Sequence, residues 1–263
     1  MLFVLFAMTA LCPSQLRAMP DTKRHIVAIG GASFRAKPEN LAADRYILGL
    51  TGKKRPSVCF VPTASAEPAE VIASFEDAYG RLGAKTSVLR FFQRTPDLRD
   101  TIFSHDVLYV GGGNTKSMLA VWREWGFDRL LREAWQKGIV LAGVSAGAIC
   151  WFERGVTDSW ADRLRPLECL GFLADTCCTH YDGEAERQPA VHDFVARGLV
   201  PPVLALNDGA AAHFVGRKLH RVVTWTPTAH AFVVRKRRGQ VVEEALPAAR
   251  LRPVRPRRKG KAR

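Results

Sequence analysis

The chain has 263 residues, 47% of them hydrophobic and 24% charged, with 21 Gly and 15 Pro. That is enough apolar material for one sizeable domain, and it excludes a fibrous or wholly disordered protein. The formal charge of +14 suggests a nucleic-acid binder until it is mapped: eight Lys and Arg and no acid fall within 250–263, and removing those eight leaves +6.

Residues 1–19 open with an apolar run to Leu11 but lack the Lys or Arg that usually begins a secretory signal. They read as a signal-like extension or as a start assigned upstream of Met19, so 1–24 are set apart from the fold. The run is too short for a bilayer-spanning helix and no later one exceeds it. A cytoplasmic protein without a membrane partner is expected, with secretion the alternative.

From residue 25, short apolar runs alternate with stretches of helical period. The runs at 25–29, 57–62, 87–91, 106–110, 139–143 and 203–206 predict parallel strands buried on both faces. Helices are predicted at 38–50, 67–82, 115–124, 127–137, 146–152 and 184–197. The alternation implies βαβ units and an α/β fold of three layers, a mostly parallel sheet between two sets of helices. Closely spaced runs from 212 to 235 read as antiparallel hairpins closing an edge. Residues 236–263 read as a basic, disordered tail. The six cysteines lie mostly in apolar runs and read as reduced, buried thiols; none has the spacing of a zinc site, so neither metal nor cofactor is expected.

The segment richest in chemistry is 139–150, where an apolar strand runs into Gly143-Val-Ser145-Ala-Gly147 and then a helix. Small residues two positions to either side permit a strained turn that lifts the Ser145 hydroxyl out of the sheet, with the Ala146 N–H beside it. A serine capping an ordinary helix is the plainer alternative. Upstream, Gly111-Gly112-Gly113-Asn114-Thr115 ends another strand. Its backbone can approach a ligand, completing an oxyanion hole or holding a small anion, and it does not match a P-loop. Among seven histidines, His180 lies in a polar loop, Thr179-His-Tyr-Asp182-Gly-Glu184, and is the candidate general base. The carboxylate that would orient it is Asp208, at the end of the 203–206 strand, with Asp182 and Glu184 as alternatives. Asp158 is a candidate for binding substrate or fixing a loop.

Taken in order, YVGGGNT, GVSAGA, a histidine with an acidic loop, and a strand ending in NDG resemble the aspartyl dipeptidase (peptidase E) family and its relatives, the cyanophycinases. The resemblance spans roughly residues 24–235. It implies a class I glutamine amidotransferase-like fold in which serine replaces the nucleophilic cysteine, and a serine peptidase domain over 25–235. Carried over by position, Ser145 is the nucleophile, His180 the base, Asp208 the acid, and Gly112 and Ala146 the oxyanion donors. The family has Glu where Asp208 stands. The implied substrate is a small peptide with an N-terminal Asp; Gly111, Gly113, Asn114, Asp158, Asp182, Glu184 and Arg187 are candidates to touch it, and Arg163, Arg165 and Arg187 are alternatives for the cation that its side chain needs. A homodimer is implied by the resemblance alone. The competing readings are a β-aspartyl isopeptidase, a non-catalytic small-ligand-binding protein, and weak nucleic-acid contact by the basic tail.

Overall fold

The structure, a computed structural model, describes residues 24–35 and 40–254; most of the expected N-terminal extension and the last nine residues lie outside them. Five strands, β1 (His25–Ile29), β2 (Ser57–Val61), β3 (Lys85–Val88), β4 (Val107–Val110) and β5 (Val140–Val144), pair in parallel in the order β1-β5-β4-β2-β3. Side chains alternate across each strand. Ile26, Cys59, Leu108 and Leu141 enter one apolar core, while Val27, Phe60, Tyr109 and Ala142 enter another on the opposite face. Burial on both faces is why these runs are nearly continuous in hydrophobicity.

The route from β1 outward to β2 and β3 passes through α1 (Ala42–Gly49) and α2 (Ala69–Arg81), both packed in the second core. The route back to β4 and β5 passes through α3 (Leu98–Phe103), α4 (Thr115–Glu124) and α5 (Phe127–Gln136), packed in the first. Right-handed crossovers demand this split, since reversing the direction of travel along the sheet moves the connecting helix to the other face. The C-terminal ends of β1, β4 and β5 therefore lie side by side, where open α/β sheets build their sites.

The expected single, mostly parallel sheet is corrected: the described residues form two sheets, and both are mixed. After β5 the chain makes one short helix, α6 (Ala146–Ile149), where a helix to residue 152 was expected. It then starts a second sheet with β6 (Phe152–Thr157), β7 (Arg165–Glu168), β8 (Leu173–Cys178) and β9 (Val203–Leu206). β10 (Ala210–Val215) and β11 (Lys218–Thr224) return to the first sheet, antiparallel beside β1. β12 (Ala231–Arg237) and β13 (Gln240–Ala245) extend the second sheet, and β14 (Ala248–Arg250) pairs with β11. The second sheet shares the first core through Phe152, Leu173, Cys177 and Leu204. Its other face is covered by α7 (Arg187–Ala196), whose Val191 and Val195 meet Val156, Cys178 and Val203.

Residues 236–254, expected within the tail, also belong to the structure. Glu243 on β13 accepts from the Tyr181 hydroxyl at 2.6 Å and pairs with His192 at 2.8 Å. Leu251 and Val254 pack against the second core.

Two polar groups inside this packing have measurable consequences. Arg187, 2% exposed, pairs with Glu184 at 2.6 Å and Asp158 at 3.5 Å and donates to the Val156 carbonyl at 3.4 Å, tying α7 to the loops that follow β6 and β8. His213 on β10, also 2% exposed, contacts the Tyr46 hydroxyl at 2.6 Å and His25 at 3.0 Å. Burial, reinforced by His25, His220 and Arg221, pushes its pKa down to about 3 from the usual 6.5.

Arg187→Met is expected to cost on the order of 2–3 kcal/mol in urea unfolding, less than a fully enclosed pair because Glu184 and Asp158 reach solvent. For His213, the unfolded chain takes up a proton below pH 6.5 that the folded protein refuses until about pH 3. Its stabilisation is therefore complete above 6.5 and lost as pH falls, by up to about 1.4 kcal/mol per pH unit. His213→Gln should flatten this limb of the stability profile, and a wild-type profile already flat there would contradict the assignment.

Candidate active site

β5 runs straight into Ser145, held at φ 57° and ψ −117°, a conformation costly for a residue with a side chain. The turn closes this tightly because its flanking glycines have none. A Cβ on Gly143 would collide with the Gly147 carbonyl, and one on Gly147 with the Val110 carbonyl. The Ser145 N–H donates to the Ile29 carbonyl at 3.0 Å, and its own carbonyl accepts from Ala148 and Ile149 at 2.8 and 2.9 Å. The backbone is fixed from both sides, and Ser145 lines a cavity of about 300 Å³. Cys150, the nearest thiol in sequence, is buried, and burial pushes its pKa well above the ordinary range, which leaves it inert.

The glycine loop divides in two. Gly111 and Gly112 line the cavity, and a Cβ on Gly112 would stand 3.1 Å from the Ser145 Cβ and 3.6 Å from its Oγ, so the backbone lies directly against this side chain. Gly113 packs on the Ala64 carbonyl instead. Asn114 caps α4, accepting from the Ser117 N–H at 2.9 Å and donating from Nδ2 to the Ser159 carbonyl at 3.1 Å. The Ala146 N–H opens α6 and has no acceptor within the helix.

His180 and Asp208 follow β8 and β9, which are hydrogen-bonded neighbours running in parallel, with Cys178 opposite Ala205. Loops leaving the same ends of adjacent strands bring the two side chains together. His180 Nδ1 meets Asp208 Oδ1 at 2.7 Å, and the imidazole lines the Ser145 cavity. Gly31, after β1, makes room for this pair, since a Cβ there would overlap the Asp208 carboxylate and crowd the imidazole. The other nitrogen of His180 and the Ser145 hydroxyl have no hydrogen-bond partner among the described residues, an arrangement common before substrate draws such a pair together.

The remaining candidates stand further back. Asp182 Oδ1 accepts from the Asp208 N–H at 2.9 Å and so supports that residue from behind. Glu184 and Arg187 are paired with each other, and Asp158 lines a separate cavity of about 540 Å³ with Arg163 and Trp160. Arg165 pairs with Asp162 at 2.8 Å. None of these six lines the Ser145 cavity, nor do Gly113 and Asn114. Its other walls are Ala32, Ser33, Phe34 and Arg35 after β1, together with Phe60, Val71 and Val144. The loop after β1 escaped the sequence reading, although Gly30-Gly31 behind an apolar strand repeats the signal that singled out 111–113. Among the described residues, no group of three or more His, Cys, Asp or Glu could hold a metal ion, and no helix is long and apolar enough to cross a membrane.

The chain is similar in sequence and in fold to known peptidases. The chain is 44% identical over 225 residues to the uncharacterized peptidase YgaJ of Bacillus subtilis (strain 168), a match covering 85% of this chain and 97% of that protein. Its fold is similar to that of a crystallised peptidase from an acI-B1 Actinobacterium, with a TM-score of 0.63 at 16% identity over 88% of this chain and 96% of the other. It is also similar to a putative peptidase E protein from Listeria monocytogenes EGD-e, with a TM-score of 0.57 at 17% identity over 77% and 99%. Residues 26–222 match the sequence pattern of peptidase family S51, and the chain belongs to that family.

Proposed function

We propose that this peptidase is a serine enzyme that hydrolyses small peptides, dipeptides with an N-terminal Asp foremost, through an acyl-enzyme on Ser145. The observation that carries the reading is the 2.7 Å contact between His180 and Asp208 at the wall of the cavity that also holds Ser145. Asp208 fixes the tautomer and direction of the imidazole, leaving its other nitrogen to take the Ser145 proton. The Oγ attacks the scissile carbonyl, and the oxyanion that forms is received by the N–H groups of Gly112 and Ala146. His180 then protonates the departing amine, and water releases the acyl group by the same steps in reverse. The parallel block β1-β5-β4-β2-β3, with its nucleophile at a strand-to-helix turn, suits the class I glutamine amidotransferase-like scaffold implied by the sequence resemblance.

Ser145→Ala should lower kcat on Asp-X dipeptides by about 10⁴ or more with an unchanged circular dichroism spectrum and melting temperature. Asp208→Asn should lose about 10³–10⁴, because the amide favours the wrong imidazole tautomer. A steady-state assay on the purified variants reads both, and turnover retained by Ser145→Ala would remove the reading.

A further inference from the structure

Phe34, Phe60, Val71 and Val144 make the Ser145 cavity largely apolar. Arg35 differs from every other described residue lining it in carrying a fixed positive charge. It is exposed at the cavity wall and makes no ion pair or hydrogen bond with another of the described residues. The arginines that follow the catalytic turn are committed elsewhere, Arg187 to Glu184 and Asp158, and Arg165 to Asp162. A guanidinium with no partner among the described residues, beside an apolar cavity, presents a planar fork suited to a carboxylate.

The segment 31–34 that leads to Arg35 is anchored. Gly31 packs on Asp208, and the Ala32 carbonyl accepts from Trp225 Nε1 at 2.9 Å. Phe34, 5% exposed, meets Phe75 edge-on at 5.4 Å and Tyr109 at 5.8 Å. Arg35 thus follows an immobilised ring on a segment that also touches the His180–Asp208 pair.

We propose that Arg35 binds a carboxylate of the peptide being cleaved and so selects peptides that present one at this point of the cavity. The inference rests on the reading of the Ser145 cavity as the peptide site. Two carboxylates share the required chemistry: the side chain of an acidic residue at the scissile bond, and the C-terminus of a dipeptide.

Calorimetric binding to Ser145→Ala protein, with and without Arg35→Met, separates them using Asp-Leu, Asn-Leu, Asp-Leu amide and Asn-Leu amide. Arg35→Met should weaken Asp-Leu by about tenfold or more, as for one lost charge-assisted contact, and leave Asn-Leu amide within about twofold. Weakening shared by Asp-Leu and Asp-Leu amide alone assigns the side chain; weakening shared by Asp-Leu and Asn-Leu alone assigns the terminus. Arg35→Lys should recover part of the loss. Equal weakening of all four peptides, no weakening of any, or no binding of Asp-Leu to the Arg35-containing protein overturns the proposal. Failure of the peptidase reading would register separately, as turnover that survives Ser145→Ala.

Discussion

Asp208 stands where the polypeptide leaves one sheet and enters the other, in a space that exists because residue 31 has no side chain. β9 ends at Leu206 in the second sheet, and β10 begins at Ala210 against β1 in the first. Across this three-residue passage Gly30 N–H donates to the Ala210 carbonyl at 2.9 Å and Gly209 N–H to the Gly31 carbonyl at 3.2 Å. The loop after β1 is thereby pinned to the turn that carries Asp208. Ser145 is bonded to the end of the same β1, through the Ile29 carbonyl. The end of one central strand thus sets the relation between two halves of a site contributed by different sheets.

Strain collects around that junction. Ala32, Ser145 and His180 all have φ between 52° and 57°, a region that costs about 1–3 kcal/mol for a residue bearing a side chain. Each is held by packing that does not depend on the reacting groups. Ser145 rests on the glycine contacts beneath it, His180 lies between buried Thr179 and Tyr181, and Ala32 is followed by buried Ser33 and Phe34. The cores on the two faces of the first sheet supply the rigidity that lets three short loops keep unfavourable dihedrals in register.

The sequence was most legible where local chemistry and strand patterning coincide. The turn at Ser145 is written in glycines two residues to either side, and the parallel strands in runs buried on both faces. His180 was legible as part of a polar loop, and Asp208 as one of three carboxylates that could orient it. The second sheet was not, because β6 (FERGVT) carries charges on its exposed positions and β8 has its alternation broken at Asp175, where φ is 69°. β13 was hidden by the basic composition of the residues after it. Arg187 reads alike in sequence whether it faces a substrate or is sealed between Glu184 and Asp158, since burial is a property of the assembled fold. Arg35 belongs to no motif that would draw notice, and only folding places it beside Ser145.

The central claim, a Ser145 hydroxyl activated by an imidazole that Asp208 holds in place, is tested most directly by quenching the enzyme during turnover of an activated aspartyl ester and mapping the covalent adduct by mass spectrometry. The account predicts an acyl group on the peptide containing Ser145, absent when His180 is replaced by Ala. An adduct on any other residue, or one that forms on Ser145 at an undiminished rate without His180, would contradict it.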